Sequence, residues 1–283
     1  MMKCLVTGHK GYIGSALFKK LQNLGYNVRG IDLKEGKDIL KNLAEYESFN
    51  PDYIFHLAAF PRVQFSVENP SYTLEQNVLG TSRILEFAHK VKAKRVIFSS
   101  SSAVYGDDGG PSSPYGLHKL MSESECKLYS ELYGVDTVCL RYFNVYSKNQ
   151  PTDGSYSTVI AAWSENLKNG SPLRIDGTGE QRRDFIHLDD IVDANIFCMK
   201  YKNSFTGNFF DVGIGENYSL NFIKKFLIRE MTSDIEFYTA PPRPGDTKET
   251  LAMPQSLIEI GWKAKINFKD GLVRCFKGEK NET

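Results

Sequence analysis

Three glycines between a predicted strand and a predicted helix constrain the fold of this chain more than any other feature. Residues Lys3 to Thr7 form an apolar run typical of a buried strand, and Gly8, Gly11 and Gly14 follow at regular spacing. A leucine-rich helical pattern comes next, and a second strand is predicted over Asn27 to Asp32. This order predicts a strand, glycine loop, helix and strand, in which the free N–H groups at the helix start suit a pyrophosphate.

The acid at the end of the second predicted strand indicates which dinucleotide such a loop would take. The carboxylate of Asp32 would accept hydrogen bonds from a ribose 2′,3′-diol, whereas a 2′-phosphate there would meet like charge. NAD is therefore favoured over NADP, although Lys34 weakens this preference slightly.

A second stretch, Val96 to Lys119, contains candidate catalytic residues. Val96 to Phe98 predicts a strand, and a run of hydroxyls that includes Ser101 follows where this strand would leave the sheet. A helix is predicted after Pro114, so Tyr115 and Lys119, four residues apart, share one of its faces. A tyrosine titrates near ~10, and a nearby ammonium would lower its pKa, so that the phenolate could accept a proton. The alternative is an ordinary amphipathic helix, because Tyr-x-x-x-Lys is common by chance.

Composition excludes several classes of protein. The chain has 283 residues, enough for one large α/β domain or two small ones, and its formal net charge of +1 leaves no excess charge for a general nucleic-acid binder. Its five cysteines are scattered and form no Cys-x-x-Cys pair, so we expect no zinc or other metal site and a reducing, cytoplasmic compartment. We expect no signal peptide, because the apolar run near residue 1 is too short, and no membrane-spanning helix, because no apolar segment approaches the necessary length.

Taken in order, these motifs resemble the extended short-chain dehydrogenase/reductase superfamily, in its NAD-dependent nucleotide-sugar epimerase/dehydratase family. They are most similar to the UDP-sugar 4-epimerases. The resemblance implies an α/β fold: a doubly wound, mostly parallel Rossmann sheet with a smaller, discontinuous C-terminal substrate lobe. It implies that residues 1–146 and 184–215 bind NAD and that residues 147–183 and 216–283 bind the nucleotide sugar.

The resemblance also implies the residues that touch the cofactor. Asp38-Ile39 resembles a pair that contacts adenine, Tyr53 to Ala59 resembles the strand and loop beneath the cofactor, and Asn77 to Thr81 resembles a helix start beside the nicotinamide. The expected NAD contacts are Gly8, Gly11, Tyr12, Ile13, Gly14, Asp32, Asp38, Ile39, Leu57, Ala58, Ala59, Asn77, Tyr115 and Lys119. Ser101, Tyr115 and Lys119 fall where the family keeps its catalytic Ser, Tyr and Lys.

Substrate contacts are expected later in the chain. Arg141 to Tyr146 resembles the family's Arg-Tyr-Phe-Asn-Val-Tyr element, whose Asn, here Asn144, binds substrate. Arg183 and the turn Arg243-Pro-Gly-Asp246 resemble two clamps on the nucleotide diphosphate, for which the rigid fork of a guanidinium is suited. The expected substrate contacts are Ser101, Asn144, Arg183, Arg243, Asp246 and Thr250.

Thr250 falls where galactose-type 4-epimerases have a bulky tyrosine beside the C2 substituent of the sugar. The smaller threonine would leave room for an acetamido group. The alternative is that Thr250 is only a surface turn residue.

The two residues after Ser101 decide between reactions of this family. Dehydratases carry acidic side chains there and UDP-glucuronate decarboxylases carry a Glu in the same region, whereas this chain has Ser102 and Ala103. The pattern resembles the 4-epimerases, in which the tyrosine takes the C4 hydroxyl proton, NAD takes the C4 hydride, and hydride returns to the opposite face of a 4-keto sugar. The alternatives are a nucleotide-sugar reductase, dehydrogenase or dehydratase of the same family, or a non-catalytic NAD-binding protein. The resemblance also implies a homodimer built on the helices 77–91 and 115–133.

Overall fold

The protein is described from a computed structural model, which covers residues 1–107, 109–148, 150–152, 158–230, 234–242 and 247–277. The chain divides into two compact units. Unit 1 is Met1–Tyr142 with Ile191–Asp211, and unit 2 is Phe143–Asp190 with Val212–Thr283. Which ligand each unit binds stays a prediction.

The strands, in chain order, are β1 (Lys3–Thr7), β2 (Asn27–Ile31), β3 (Tyr53–His56), β4 (Arg95–Ser101), β5 (Thr137–Tyr142), β6 (Asn144–Tyr146), β7 (Leu173–Asp176), β8 (Arg182–His187), β9 (Asn208–Val212), β10 (Asn217–Ser219) and β11 (Phe237–Ala240). The α-helices are α1 (Tyr12–Asn23), α2 (Val63–Glu68), α3 (Pro70–Leu74), α4 (Gly80–Lys90), α5 (Pro114–Tyr133), α6 (Val159–Lys168), α7 (Leu188–Lys200), α8 (Leu220–Glu230), α9 (Gln255–Glu259) and α10 (Phe268–Lys277).

The main sheet confirms the predicted Rossmann architecture. Its strand order is β2-β1-β3-β4-β5-β9, and the pairs from β2 to β5 are all parallel. The order reverses between β1 and β3, so the glycine loop after β1 opens at the switch point, where such sheets bind ligands. The strands are buried and apolar because helices cover both faces of a parallel sheet. One cluster packs strand residues Leu5, Ile54 and Phe98 against helix residues Ile84 and Cys126.

Unit 2 is smaller and contains two short sheets. One has the order β10-β8-β6 and the other pairs β11 with β7. Its core is rich in aromatic side chains, with Tyr146, Trp163, Phe185 and Phe268 almost fully buried. Within the described residues, no helix is long and apolar enough to cross a membrane, and no His, Cys, Asp and Glu cluster could hold a metal ion.

Two local expectations are wrong. The hydroxyl run does not begin where β4 leaves the sheet, because β4 continues through Ser101. It can do so because the buried hydroxyl of Ser99 lies 3.0 Å from the hydroxyl of Tyr142 and is therefore paired. Asn77 does not start a helix either. The helical run begins at Pro70, whose ring favours a first-turn position, and Asn77 lies in a π-helical segment, Glu75–Leu79, that precedes α4.

Candidate active site

The glycine loop of unit 1 is shaped by close backbone contacts. Gly8 has a φ of 72°, and a Cβ there would lie 2.8 Å from the backbone N of Ala58. A Cβ on Gly14 would overlap the carbonyl oxygen of Gly8. Helix α1 begins at Tyr12, and its N-cap residue, Gly11, has no side chain that could cap the helix start. A tight loop that ends on an uncapped helix start fits the pyrophosphate of a dinucleotide.

Asp32 lies where the ribose of such a dinucleotide is expected. Its two carboxylate oxygens accept hydrogen bonds from the backbone N–H groups of Lys10, at 2.8 Å, and Lys34, at 2.9 Å. These bonds fix the carboxylate and leave each oxygen a further lone pair for a diol. The ammonium of Lys34 donates to the carbonyl of Lys10, and that of Lys10 pairs with Glu35 at 2.9 Å.

The remaining predicted cofactor residues lie in several parts of unit 1. Thr7 Oγ1 accepts the N–H groups of Leu57 and Ala58, and Ala59 follows them in the same half-buried stretch. Asn77 holds the next residue, Phe60, by accepting its N–H and donating to its carbonyl oxygen. The structure places Tyr12 and Ile13 in the first turn of α1, Asp38 in a turn where it accepts the N–H of Leu40, and Ile39 in the core.

The structure brings Ser101, Tyr115 and Lys119 together. Burial raises the pKa of Tyr115, which is only 8% exposed, and a hydrogen bond with the side chain of Ser101 acts in the opposite direction. Lys119 Nζ donates to the carbonyl of Ser99 at 2.6 Å and lies 6.0 Å from the centre of the Tyr115 ring. Burial lowers the pKa of Lys119 to about 8. The predicted net lowering of the Tyr115 pKa is therefore wrong for the free protein, in which burial sets an upward shift.

The backbone around this trio is locked by contacts that spacing alone does not reveal. The hydroxyl of Ser66 accepts the N–H of Tyr115 at 3.0 Å, and Ser113 caps the start of α5. Ser101 caps the short turn Ser102–Val104 by accepting the N–H of Ala103. That turn packs directly on α5, since a Cβ on Gly116 would overlap the carbonyl oxygen of Ala103.

Unit 2 contains a cavity of about 380 Å³ that two predicted substrate residues share. Asn144 and Arg183 both line it, together with Trp163, Arg174 and Tyr238. Half-buried Asn144 uses its side-chain N–H₂ within the protein, donating to the carbonyl oxygen of Asp184 at 3.0 Å and the Thr250 hydroxyl at 3.1 Å. Its carbonyl oxygen is therefore the atom that it can offer a ligand.

Thr250 is not a simple surface turn residue. Its backbone N–H donates to the carbonyl of Arg182, and its carbonyl accepts the N–H of Asp184. The structure thus places it against β8 and beside Asn144. The other two predicted substrate residues, Arg243 and Asp246, lie outside the described residues.

Asp184 is a site-shaping residue that the sequence did not single out. It is fully buried, and its carboxylate accepts backbone N–H groups from Ile214, Gly215 and Ala252. These bonds hold the strand that carries Arg183 against the segment that carries Thr250. The available signal was the position of Asp184, a charged residue between Arg183 and Phe185 in a short strand. The backbone groups that it bonds, however, are distant in sequence.

The parallel sheet, the glycine loop at its switch point and the juxtaposed Ser101, Tyr115 and Lys119 are features of a Rossmann-fold, dinucleotide-dependent enzyme. The sequence model of the NAD dependent epimerase/dehydratase family matches residues 4–213, and the chain belongs to this family. This confirms the resemblance found in the sequence, and NAD is the cofactor.

Similar proteins catalyse more than one reaction. A putative UDP-glucose 4-epimerase from Methanocaldococcus jannaschii is 34% identical, over 98% of each chain. The crystal structure of a Thermotoga maritima UDP-glucose 4-epimerase with UDP-glucose is 30% identical over 98% of each chain, with a TM-score of 0.90. A UDP-N-acetyl-alpha-D-glucosaminuronate decarboxylase from Bacillus cytotoxicus is 32% identical, over 84% of this chain and 80% of that protein.

Proposed function

We propose that the protein epimerises a nucleotide sugar, with UDP as its nucleotide, at C4 through a transient 4-keto intermediate. The observation that carries the proposal is the turn Ser102–Val104, which follows Ser101 and presents no carboxylate. Elimination of water needs an acid–base group at this position in addition to the tyrosine, and Ser102 and Ala103 cannot supply one. Similarity to UDP-glucose 4-epimerases over nearly the whole chain supports the same reaction.

The residues of unit 1 have separate tasks in this reaction. Tyr115 takes the proton of the C4 hydroxyl and later returns it, and Ser101 hydrogen-bonds the same oxygen. Lys119, fixed on the carbonyl of Ser99, provides the positive charge that favours the phenolate. When bound, the nicotinamide supplies hydride transfer at C4 in both directions, so no net redox change accumulates.

The residues of unit 2 select the substrate in this proposal. Arg183 grips the diphosphate at the cavity wall, and Asn144 accepts a hydrogen bond from a donor on the ligand. Thr250 is small and adjoins Asn144, which supports room for an N-acetyl group beside the sugar. Arg243 and Asp246 complete the predicted diphosphate clamp.

A panel of nucleotide sugars tests the reaction. We expect NMR to show interconversion of C4 epimers, and absorbance to show no NADH accumulating in solution as product forms. A stoichiometric rise or fall of NADH would instead identify a reductase or dehydrogenase, and release of water or carbon dioxide would identify a dehydratase or decarboxylase. If the protein bound NAD but converted none of the sugars, the result would favour the alternative of a non-catalytic NAD-binding protein.

We also propose a homodimer. Helix α5 exposes an apolar stripe, with Leu117, Met121, Leu128 and Leu132 spaced four, seven and four residues apart and each 39–64% exposed. Light scattering after chromatography should show twice the chain mass, and Leu128→Glu with Leu132→Glu should give monomers. A cytoplasmic location is proposed as well, supported by five cysteines that are all free and buried.

A further inference from the structure

A buried ion pair lies one helical turn beyond Lys119 in α5. Arg141 of β5 grips Glu123 with two hydrogen bonds, Nε to Oε1 at 2.9 Å and Nη2 to Oε2 at 2.6 Å. Both side chains are only 7% exposed. Bidentate pairs of this kind are short, strong and directional, so the position of Glu123 is fixed.

Glu123 is also tied to the strand that holds Lys119. The hydroxyl of Ser100 donates to Glu123 Oε1, and the carbonyl of the preceding residue, Ser99, accepts the bond from Lys119 Nζ. Residues four apart on a helix lie on the same face, so Lys119 and Glu123 contact neighbouring residues of β4. One carboxylate therefore links the helix that carries the lysine to the strand that receives its ammonium.

The same pair reaches the turn that follows Ser101. Arg141 Nη1 donates to the hydroxyl of Tyr105 at 2.8 Å, and that hydroxyl donates to Asp211 at 2.7 Å. Tyr105 ends the turn that Ser101 caps. The hydrogen-bond network of Glu123, Arg141 and Tyr105 thus contacts residues next to Ser101 and Lys119. Neither Ser101 nor Lys119 belongs to the network.

We propose that Glu123, paired with Arg141, is a positioning residue that keeps the Lys119 ammonium protonated and fixed on Ser99 during turnover. This inference rests on the proposed roles of Tyr115 and Lys119. Glu123 itself touches neither substrate nor cofactor in the proposal and acts through Lys119.

Electrostatics support the geometric argument. Burial lowers the pKa of Lys119 to about 8, and Glu123 is the largest influence in the opposite direction. The other titratable groups facing the ammonium are His56 of β3, Tyr115 and Cys126 of α5, and Cys139 of β5. Burial lowers the pKa of His56 to about 3 and raises that of Tyr115, and a hydrogen bond from Cys126 with burial raises that of Cys139, so these three are neutral near pH 7. Cys126 and Cys139 act on Lys119 in the same direction as Glu123 but more weakly, so the Glu123 carboxylate is the main group that favours the protonated lysine.

A second buried pair in unit 1 provides a matched control. Arg95 Nε lies 2.6 Å from Asp136 Oδ2, with side chains 6% and 14% exposed. Arg95 otherwise donates to backbone carbonyls, and Asp136 does not contribute to the pKa shift of Lys119. Asp136→Asn therefore neutralises a carboxylate beside a buried arginine, as Glu123→Gln does, but away from the lysine.

The test compares the two variants by two measurements. The first is the pH dependence of kcat on the best nucleotide sugar. The second is the titration of Lys119 Nζ by NMR in lysine-labelled protein, assigned with Lys119→Arg. We expect the alkaline limb of kcat and the Lys119 titration, both near pH 8 in the wild type, to move about one pH unit lower in Glu123→Gln. Both should stay unchanged in Asp136→Asn.

Glu123→Asp separates charge from packing. It keeps the carboxylate, so its alkaline limb should stay near that of the wild type even if the shorter side chain lowers stability. The inference is overturned if Glu123→Gln and Asp136→Asn change stability alike and neither moves the Lys119 titration. It is also overturned if Glu123→Asp shifts the Lys119 titration as far as Glu123→Gln does. The NMR titration needs no turnover, so it decides this point even if no nucleotide sugar is a substrate.

Discussion

The two units present their candidate site residues in opposite ways. In unit 1, Tyr115 and Lys119 are 8% and 4% exposed and are surrounded by hydrogen-bonded, closely packed groups. In unit 2, Asn144 and Arg183 are half-buried on the wall of an open cavity. Groups that transfer protons must be held in a single geometry relative to the substrate, and dense packing provides this. Groups that bind a ligand must instead be accessible to it from solvent. Under the proposed function, we expect substitutions in unit 1 to change the rate of the chemical step and substitutions in unit 2 to change substrate affinity.

The largest expected effect tests the unit 1 side of this comparison. Tyr115→Phe keeps the ring and removes the proton acceptor, so kcat should fall by about 10²–10⁴-fold. NAD affinity, measured by calorimetry, should change little. Tyr133→Phe, on the exposed end of the same helix, is the control and should turn over normally. Near wild-type turnover by Tyr115→Phe would remove Tyr115 from the mechanism.

A substitution in unit 2 should alter affinity instead. Arg183→Leu removes a charge-assisted hydrogen-bond donor of about 1.5–3 kcal/mol, so KM should rise by about 10–100-fold while kcat changes little. The neighbouring Arg182 serves as the matched control, because its guanidinium donates to Asn217 and it is not among the cavity residues. If Arg182→Leu raised KM equally, or if Arg183→Leu acted on kcat, the division between the units would fail.

The choice of sugar gives a smaller and more selective effect. Thr250→Tyr should lower kcat/KM for UDP-N-acetylglucosamine about tenfold more than for UDP-glucose, because a large ring occupies the space of the acetamido group. Thr250→Ser keeps the hydroxyl that Asn144 bonds and should retain both activities. Equal slowing of both sugars by the tyrosine, or of neither, would exclude Thr250 as the gate.

A similarly small effect, on cofactor preference rather than on turnover, tests the comparison within unit 1. Asp32 is buried but is predicted to bind the cofactor ribose, so Asp32→Ala should change cofactor affinity rather than the chemical step. We expect the preference for NAD over NADP to shrink by about tenfold, since both the diol acceptor and the repulsion of a 2′-phosphate are lost. Calorimetry with both cofactors measures this, with Glu35→Ala as the control for a nearby exposed carboxylate. Equal affinity of the wild type for the two cofactors would contradict the role of Asp32.

The sequence pattern predicted those parts of the fold and site that depend only on residues close together in the chain. The bounds of β1 and the glycine loop follow from apolar periodicity and from glycine spacing, and the shared face of Tyr115 and Lys119 follows from helical geometry. The Glu123–Arg141 pair could not be predicted, because its partners are on α5 and β5 and meet only when the sheet forms. The pKa of Tyr115 was mispredicted for the same reason. A lysine four residues away is visible in the sequence, whereas burial of the ring is a property of the packed protein.

The contact between Gly116 and Ala103 has a consequence for how such a protein can change. The turn Ser102–Val104 and helix α5 approach each other through backbone atoms, and this close approach is possible because Gly116 has no side chain. Side chains at 102 and 103 can therefore be exchanged while the tyrosine helix and the serine strand keep their places. Under the proposed function these two side chains decide the type of reaction, so we expect that new chemistry on this scaffold needs one or two substitutions in a single turn rather than a redesigned framework.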